Sequence, residues 1–451
     1  MITRRAATVG LATALFGLSR WGEAQSAVSP APVEDMPSEI TAKSSRKRLR
    51  PNAEADADIL TLNGRLAPTF RLRAGAPLEF TFKNETALPL SLHIQGLRGP
   101  NAMDGVGRLT QESVQPGGRF AFRLPPPDPG TFLIRPCILG GSAEPLGRGL
   151  SAMLIVEESA APTVDLDCPL LIDDWRLNDD GSLTQFLKAS NEAPVGRLGN
   201  LLTVNGVPAP QRIEAPAGGR LRIRLANTSN ARAMRLQLSD LKSVVIAIDG
   251  QPTETFEPLR SSLPFAPGSR YDLLVDLPAQ PGARGAILAM LGEGIPLVEI
   301  ITKGEPQVDR PPIGPLAPND KLPKAIALEK ATRKELTIQN VADNPTSGWT
   351  INGAPGDPST PALKIRRGTP VVLTLNNKTP FVQPFHLHGH VFRLLHGLDD
   401  GWQPYFLDTV QVPENKTSRI AFVADNPGKW LLESTVMERF DAGLWTWIEV
   451  S

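Results

Sequence analysis

The feature that most constrains this chain is a motif that recurs three times. Asn63-Gly64, Asn205-Gly206 and Asn352-Gly353 each open a similar unit. Each pair precedes a turn and an alternating strand, AGAPLEFTFKNET, AGGRLRIRLANTS and RGTPVVLTLNNKT. In the second copy Leu221, Ile223 and Leu225 alternate with Arg220, Arg222 and Arg224, a period of two that marks a strand with one buried face. The Asn-Gly pairs suit turns that need positive φ. The second halves recur as well: PGGRFAFRLPPPDPGTFL, PGSRYDLLVDLPAQPGARGAILAM and ENKTSRIAFVADNPGKWLLE share a turn, a strand, a Pro-Gly turn and another strand.

Units of well over a hundred residues are domains rather than solenoid repeats. The 44 prolines and 39 glycines favour short strands and many turns. Helical periodicity is confined to one short stretch near Leu183 to Lys188. The expected architecture is all-β, three antiparallel sandwiches from about Glu34 to Ser159, Ala160 to Lys303 and Asn319 to Ser451. A proline-rich linker, Gly304 to Pro318, joins the last two.

Charge and targeting narrow the functional classes. Lys plus Arg and Asp plus Glu both total 47, so no net charge draws the protein to nucleic acid or lipid. The basic run Lys43 to Arg50 reads as a solvated face or arm, with an anionic partner as the sharper alternative. Residues 1–27 read as an export signal. Arg4-Arg5 precede the apolar run Ala6 to Leu18, and small residues from Ala24 to Ala27 offer a cleavage site. The paired arginines look like a twin-arginine signal, with an ordinary secretory signal or retained anchor as the alternative. No later run reaches the about 18 apolar residues that span a bilayer. The mature chain is therefore expected to be a periplasmic protein without a transmembrane segment. Cys137 and Cys168 are too few for a disulfide framework and read as buried thiols.

Several long segments, in order, carry a resemblance. They are SLHIQGLRGPNAMDGV (Ser91–Val106), the stretch Pro129–Glu158, QPFHLHGHVFRLL (Gln383–Leu395), FVADNPGKW (Phe422–Trp430) and LLESTVMERFDAGLW (Leu431–Trp445). Together they resemble laccase-type multicopper oxidases, which are built from three cupredoxin-like Greek-key sandwiches. The resemblance implies a blue copper that takes electrons from substrate and a copper cluster that reduces dioxygen. Function must nevertheless be argued from the site and not from the fold.

At the blue-copper positions the resemblance places Ser434 for the cysteine, Gln383 and Arg439 for the histidines, and Leu444 for the axial methionine. That copper needs a soft thiolate with imidazoles. A hydroxyl, an amide, a guanidinium and an alkyl group do not supply them. At the cluster positions His93, His386 and His388 remain, while Gln95, Arg135, Cys137, Glu433 and Thr435 stand where the family has histidines. Sorted by copper, one member of the coupled pair would have had Gln95, Arg135 and Thr435. The other would have had Cys137, His388 and Glu433, and the remaining mononuclear position keeps His93 and His386.

Two readings of these residues stay open. In one they are relics, with Arg135 paired to Glu433 across the old cavity. In the other, His93, His386, His388, Cys137 and Glu433 hold a single copper or zinc ion. His390 and His396 read as structural, as do Asp173 and Asp174 before Trp175. No glycine-rich phosphate loop, nucleophile elbow or HExxH is present. The chain also resembles the copper-free, division-associated periplasmic relatives of these oxidases. That likeness implies a non-catalytic scaffold or binding role toward other envelope proteins. The alternative is a copper-dependent oxidoreductase with only the partial His93/His386 centre.

Overall fold

A computed structural model describes residues 32–187, 195–306, 310–340, 348–397, 399 and 401–451. The expected export signal lies outside them. The Asn-Gly pairs do what the sequence asks of them. Asn63, Asn205 and Asn352 have φ of 51°, 52° and 53°, followed by glycines at 73°, 71° and 81°. These are the left-handed pairs that let a strand reverse with the twist of its neighbours.

The strands form six sheets. Strands between Val33 and Val156 make a four-stranded and a five-stranded sheet. Those between Leu166 and Lys303 make a seven-stranded and a five-stranded sheet, and those between Thr332 and Val450 make two five-stranded sheets. In each pair the facing sides bury the apolar members of the alternating strands. Phe80, Phe82, Phe122 and Phe132 fill the first core. Leu221, Ile223 and Leu225 join Val371, Leu373 and Leu375 in one apolar cluster that runs unbroken through the second and third sandwiches.

One expectation is corrected by the packing. The strand Arg220–Asn227 is buried on both faces, not one. Its arginine face lies against the end of the first sandwich. There Arg222 pairs with Glu158 and Asp272, and Arg224 pairs with Asp167 and Asp272. Buried charges are tolerated because each has a partner. The basic run, by contrast, is an ordinary strand, Glu39–Lys47, whose continuation carries its charges onto nearby acids. Lys43 meets Glu85, Arg46 meets Asp58 and Arg48 meets Asp56. No helix forms over residues 183–187, where Leu183 bridges Leu177 instead; Lys188 lies outside the described residues.

Two short helices close the seam between the first and third sandwiches, α1 (Ala143–Gly147) and α2 (Met437–Asp441). Asp441 accepts the Ser142 and Ala143 backbone N–H groups, both at 2.8 Å. The end of α2 thereby caps the start of α1.

Candidate functional site

Two pairs of antiparallel strands aim the site residues at each other. In the first sandwich, Leu92–Gln95 pairs with Gly130–Pro136, setting His93 opposite Arg135. In the third, Gln383–Leu387 pairs with Gly428–Ser434, setting His386 opposite Glu433 and Phe385 opposite Ser434. Successive strand residues face opposite sides. Glu433 therefore projects toward the seam between the sandwiches and Ser434 into the third sandwich.

At the seam His93, His386, His388, Cys137 and Glu433 converge. His93 Nε2 lies 3.3 Å from His386 Nε2. The His93 and His388 rings stack with centroids 3.8 Å apart. Two donor groups, His93/His386/His388 and Cys137/His388/Glu433, each have their ligand atoms within 4.8 Å of one another. The Cys137 thiol donates to Glu433 Oε2 at 3.5 Å. Arg135 forms an ion pair with Glu433 Oε1 and donates through Nε to Gln95 Oε1 at 2.7 Å. Thr435 Oγ1 and His388 Nε2 are buried without a hydrogen-bond partner.

Three acids that sequence reasoning overlooked organise this cluster. Asp104 accepts from His388 Nδ1 at 3.2 and 3.1 Å, and its backbone carbonyl lies 2.7 Å from His93 Nδ1. Asp408 lies 3.2 Å from His386 Nδ1 and pairs with Arg270 of the second sandwich. Asp249 accepts the Asp408 and Thr409 N–H groups. An acid in the loop that follows the His93 strand was the available signal for Asp104. No local pattern marks Asp408 or Asp249, whose roles arise from the meeting of domains.

The electrostatics follow from burial and these partners. Burial opposes charge on His388, but Asp104 and then Glu433 overcome it and raise its pKa to about 9. Burial resists ionisation of Asp104 as well, yet the neighbouring His388 and His93 hold its carboxyl well below the usual range. Arg135 and His388 do the same for Glu433 against its own burial. Burial lowers His386 to about 4 despite Asp408, and pushes the Cys137 thiol up together with the Glu433 charge. The cavity is thus balanced internally, with Arg135 against Glu433 and His388 against Asp104.

Behind Glu433 lies the second group. Arg439 Nη1 donates to Gln383 Oε1 at 2.9 Å and to the Val382 carbonyl at 2.8 Å. Its guanidinium sits 4.9 Å from the Trp349 ring centre and 5.1 Å from that of Phe381. Leu444 ties the set together, its carbonyl accepting from Ser434 N and its N–H donating to the Arg439 carbonyl. These donors do not fit a blue copper. A guanidinium stands among them where an imidazole is needed, and a thiolate is lacking.

The remaining sequence candidates are structural in place. His390 packs edge-on to Trp430 and lies 3.3 Å from the His388 carbonyl through Nδ1. His396 lies beside Asp399 at the surface. Asp174 binds Arg232 and the Gly199 N–H, and Asp173 accepts the Asp174 N–H. Cys137 and Cys168 are both free and buried.

With this geometry in view, comparison with known proteins is informative. Residues 43–161, 167–292 and 326–451 each match a multicopper oxidase family domain. A solved multicopper oxidase from Pseudomonas thermotolerans superposes with a TM-score of 0.82 at 30% identity, covering 93% of this chain and all of that one. The chain belongs to the multicopper oxidase family. Among curated relatives, it is 28% identical over 403 residues to multicopper oxidase MmcO of Mycobacterium tuberculosis, covering 81% of this chain and 77% of that protein. It is also 28% identical over 373 residues to the cell division protein FtsP of Photorhabdus laumondii, covering 78% and 76%. Membership brings an expectation of copper, and the His-based donor groups are where it must be tested. Among the described residues no helix is long and apolar enough to cross a membrane.

Proposed function

We propose that this family member has lost blue-copper electron entry and serves as a non-catalytic scaffold or binding protein of the cell envelope. Exported to the periplasm by the twin-arginine route, it would bind other envelope proteins. The likeness to the cell division protein FtsP points to the division apparatus as the setting.

The observation that carries this reading is Arg439. Its guanidinium is hydrogen-bonded to Gln383 and lies near the neighbouring Trp349 and Phe381 rings, so one ligand position holds a group that cannot ligate a metal. Arg135, paired with Glu433, adds a fixed positive charge where a cluster copper would sit. The test is to reconstitute purified protein with copper and record its visible spectrum and its oxidation of a laccase dye. The expected result is no intense thiolate-to-copper band and no dye turnover. A blue protein that oxidises the dye overturns the reading.

A second reading is favoured by one measurement, the 3.3 Å between His93 Nε2 and His386 Nε2. Two imidazoles at that spacing suit a single non-blue copper with bonds of about 2 Å, and the protein would then be a copper-dependent oxidoreductase with a partial centre. Stoichiometric copper that is lost in His93→Ala or His386→Ala supports it. Copper content that is unchanged by either substitution sinks it.

A further inference from the structure

We propose that Cys137, His388 and Glu433 bind one zinc ion, which staples the first sandwich to the third. This goes beyond the scaffold reading, which by itself calls for no metal.

The donor positions match the ion. A tetrahedron with zinc–nitrogen, –oxygen and –sulfur bonds of about 2.0–2.3 Å has edges of roughly 3.3–3.7 Å. Cys137 Sγ lies 3.5 Å from Glu433 Oε2, the length of such an edge, while His388 Nε2 lies 3.4 Å from the other oxygen, Oε1, which Arg135 also holds. The three donors fall within 4.8 Å of one another. A thiolate, an imidazole and a carboxylate are a zinc set, and water can fill the fourth position.

A second, independent observation points to a ligand. His388 Nε2 is fully buried and meets only Glu433 Oε1, an ion-pair contact at 3.4 Å without a geometric hydrogen bond. The opposite nitrogen, Nδ1, faces both oxygens of Asp104. A carboxylate that holds one imidazole nitrogen and leaves the other free is how metal-bound histidines are oriented. Arg135 need not be displaced, since it can hold one oxygen of Glu433 while the ion takes the other. The charges also close: the ion and Arg135 together meet the three anions Asp104, Glu433 and the Cys137 thiolate. Binding therefore exchanges two protons for the metal, that of the Cys137 thiol and that on His388 Nε2.

The experiment uses the full mature chain purified without a metal-affinity tag, dialysed against metal-free buffer and then titrated with zinc. The expected result is about one zinc per chain, a higher Tm with zinc than after chelation, and binding at least about tenfold weaker in Cys137→Ser. Cobalt in place of zinc should give a thiolate charge-transfer band that Cys137→Ser lacks. Circular dichroism of the variant, matching the parent, separates ligand loss from misfolding. His396→Gln, at the surface beside Asp399, should bind zinc as the parent does. No zinc uptake by the parent, equal uptake by Cys137→Ser, or loss of zinc in His396→Gln would each overturn the proposal. None of these results bears on the scaffold reading, which stands or falls on the blue band and dye oxidation.

Discussion

Arg135 and Glu433 show what two opposite charges need in order to share a buried cavity. Each is almost fully buried, and their attraction offsets their desolvation only because Gln95, Cys137 and His388 surround them with further polar contacts. Removing one partner is then far worse than never having had the pair. Arg135→Met is expected to lower the unfolding free energy by about 3–5 kcal/mol, read from denaturant midpoints at constant m. A loss below about 1 kcal/mol would mean that the pair contributes nothing net. Asp173 makes a pH prediction at the same scale. Burial first, and then the adjacent Asp174, raise its pKa well above the ordinary carboxylate value. The folded protein therefore keeps a proton that the unfolded chain releases above about pH 4. Stability from this group is full below that pH and falls as pH rises toward the raised folded pKa. Asp173→Asn, which never ionises, should gain on the parent steadily from pH 4 to 8 in urea melts. A constant difference across that range would refute it.

At the scale of elements, local backbone demands decide where the histidines point. Gly389 separates His388 from His390 with φ of 65°, and a Cβ there would lie 2.3 Å from the Trp430 ring. Gly389→Ala must strain the backbone and displace the indole together. It should cost about 2 kcal/mol or more and disturb the near-ultraviolet dichroism of the tryptophans. An unchanged spectrum and stability would show that the turn is more yielding than its contacts suggest. The arginine face of Arg220–Asn227 teaches the converse lesson. Alternation of leucine and arginine is what a strand with one wet face looks like. Arg222 is nevertheless buried, because Glu158 of the first sandwich and Asp272 of the second bracket it.

Across the whole molecule the three sandwiches are joined by unlike seams. The second and third share a continuous apolar core. The first has its own core and meets the second through ion pairs, Arg71 with Asp167 and Arg222 with Glu158, and through two smaller apolar clusters, Leu49 and Ile59 on Trp175 and Met153 and Ile155 on Leu171. The third adds the clasp of Asp441 on α1. Arg270 stands where all three meet, binding the Thr131 carbonyl of the first sandwich and Asp408 of the third. Arg222→Met should therefore uncouple the first sandwich, turning one calorimetric unfolding transition into two with the smaller melting first. Asp441→Ala leaves two buried N–H groups of α1 without acceptors, and should cost about 1–3 kcal/mol. A single undivided transition in Arg222→Met would show that apolar contacts hold that seam instead.

What the sequence by itself determined was periodic and local. Turn chemistry at the Asn-Gly pairs and alternation along strands are set within a few residues, so the all-β repeat could be read directly. The identity of each side chain at the positions where the family resemblance places copper ligands was equally plain, since a serine or arginine needs no fold to be recognised. Only tertiary structure decided what those side chains do. It brought Arg135 of the first sandwich onto Glu433 of the third, set Asp104 against His388, and buried the arginines of the second sandwich. Each of these depends on two strands distant in sequence arriving at one place, and electrostatic partnership across such distances leaves no periodic trace in the chain.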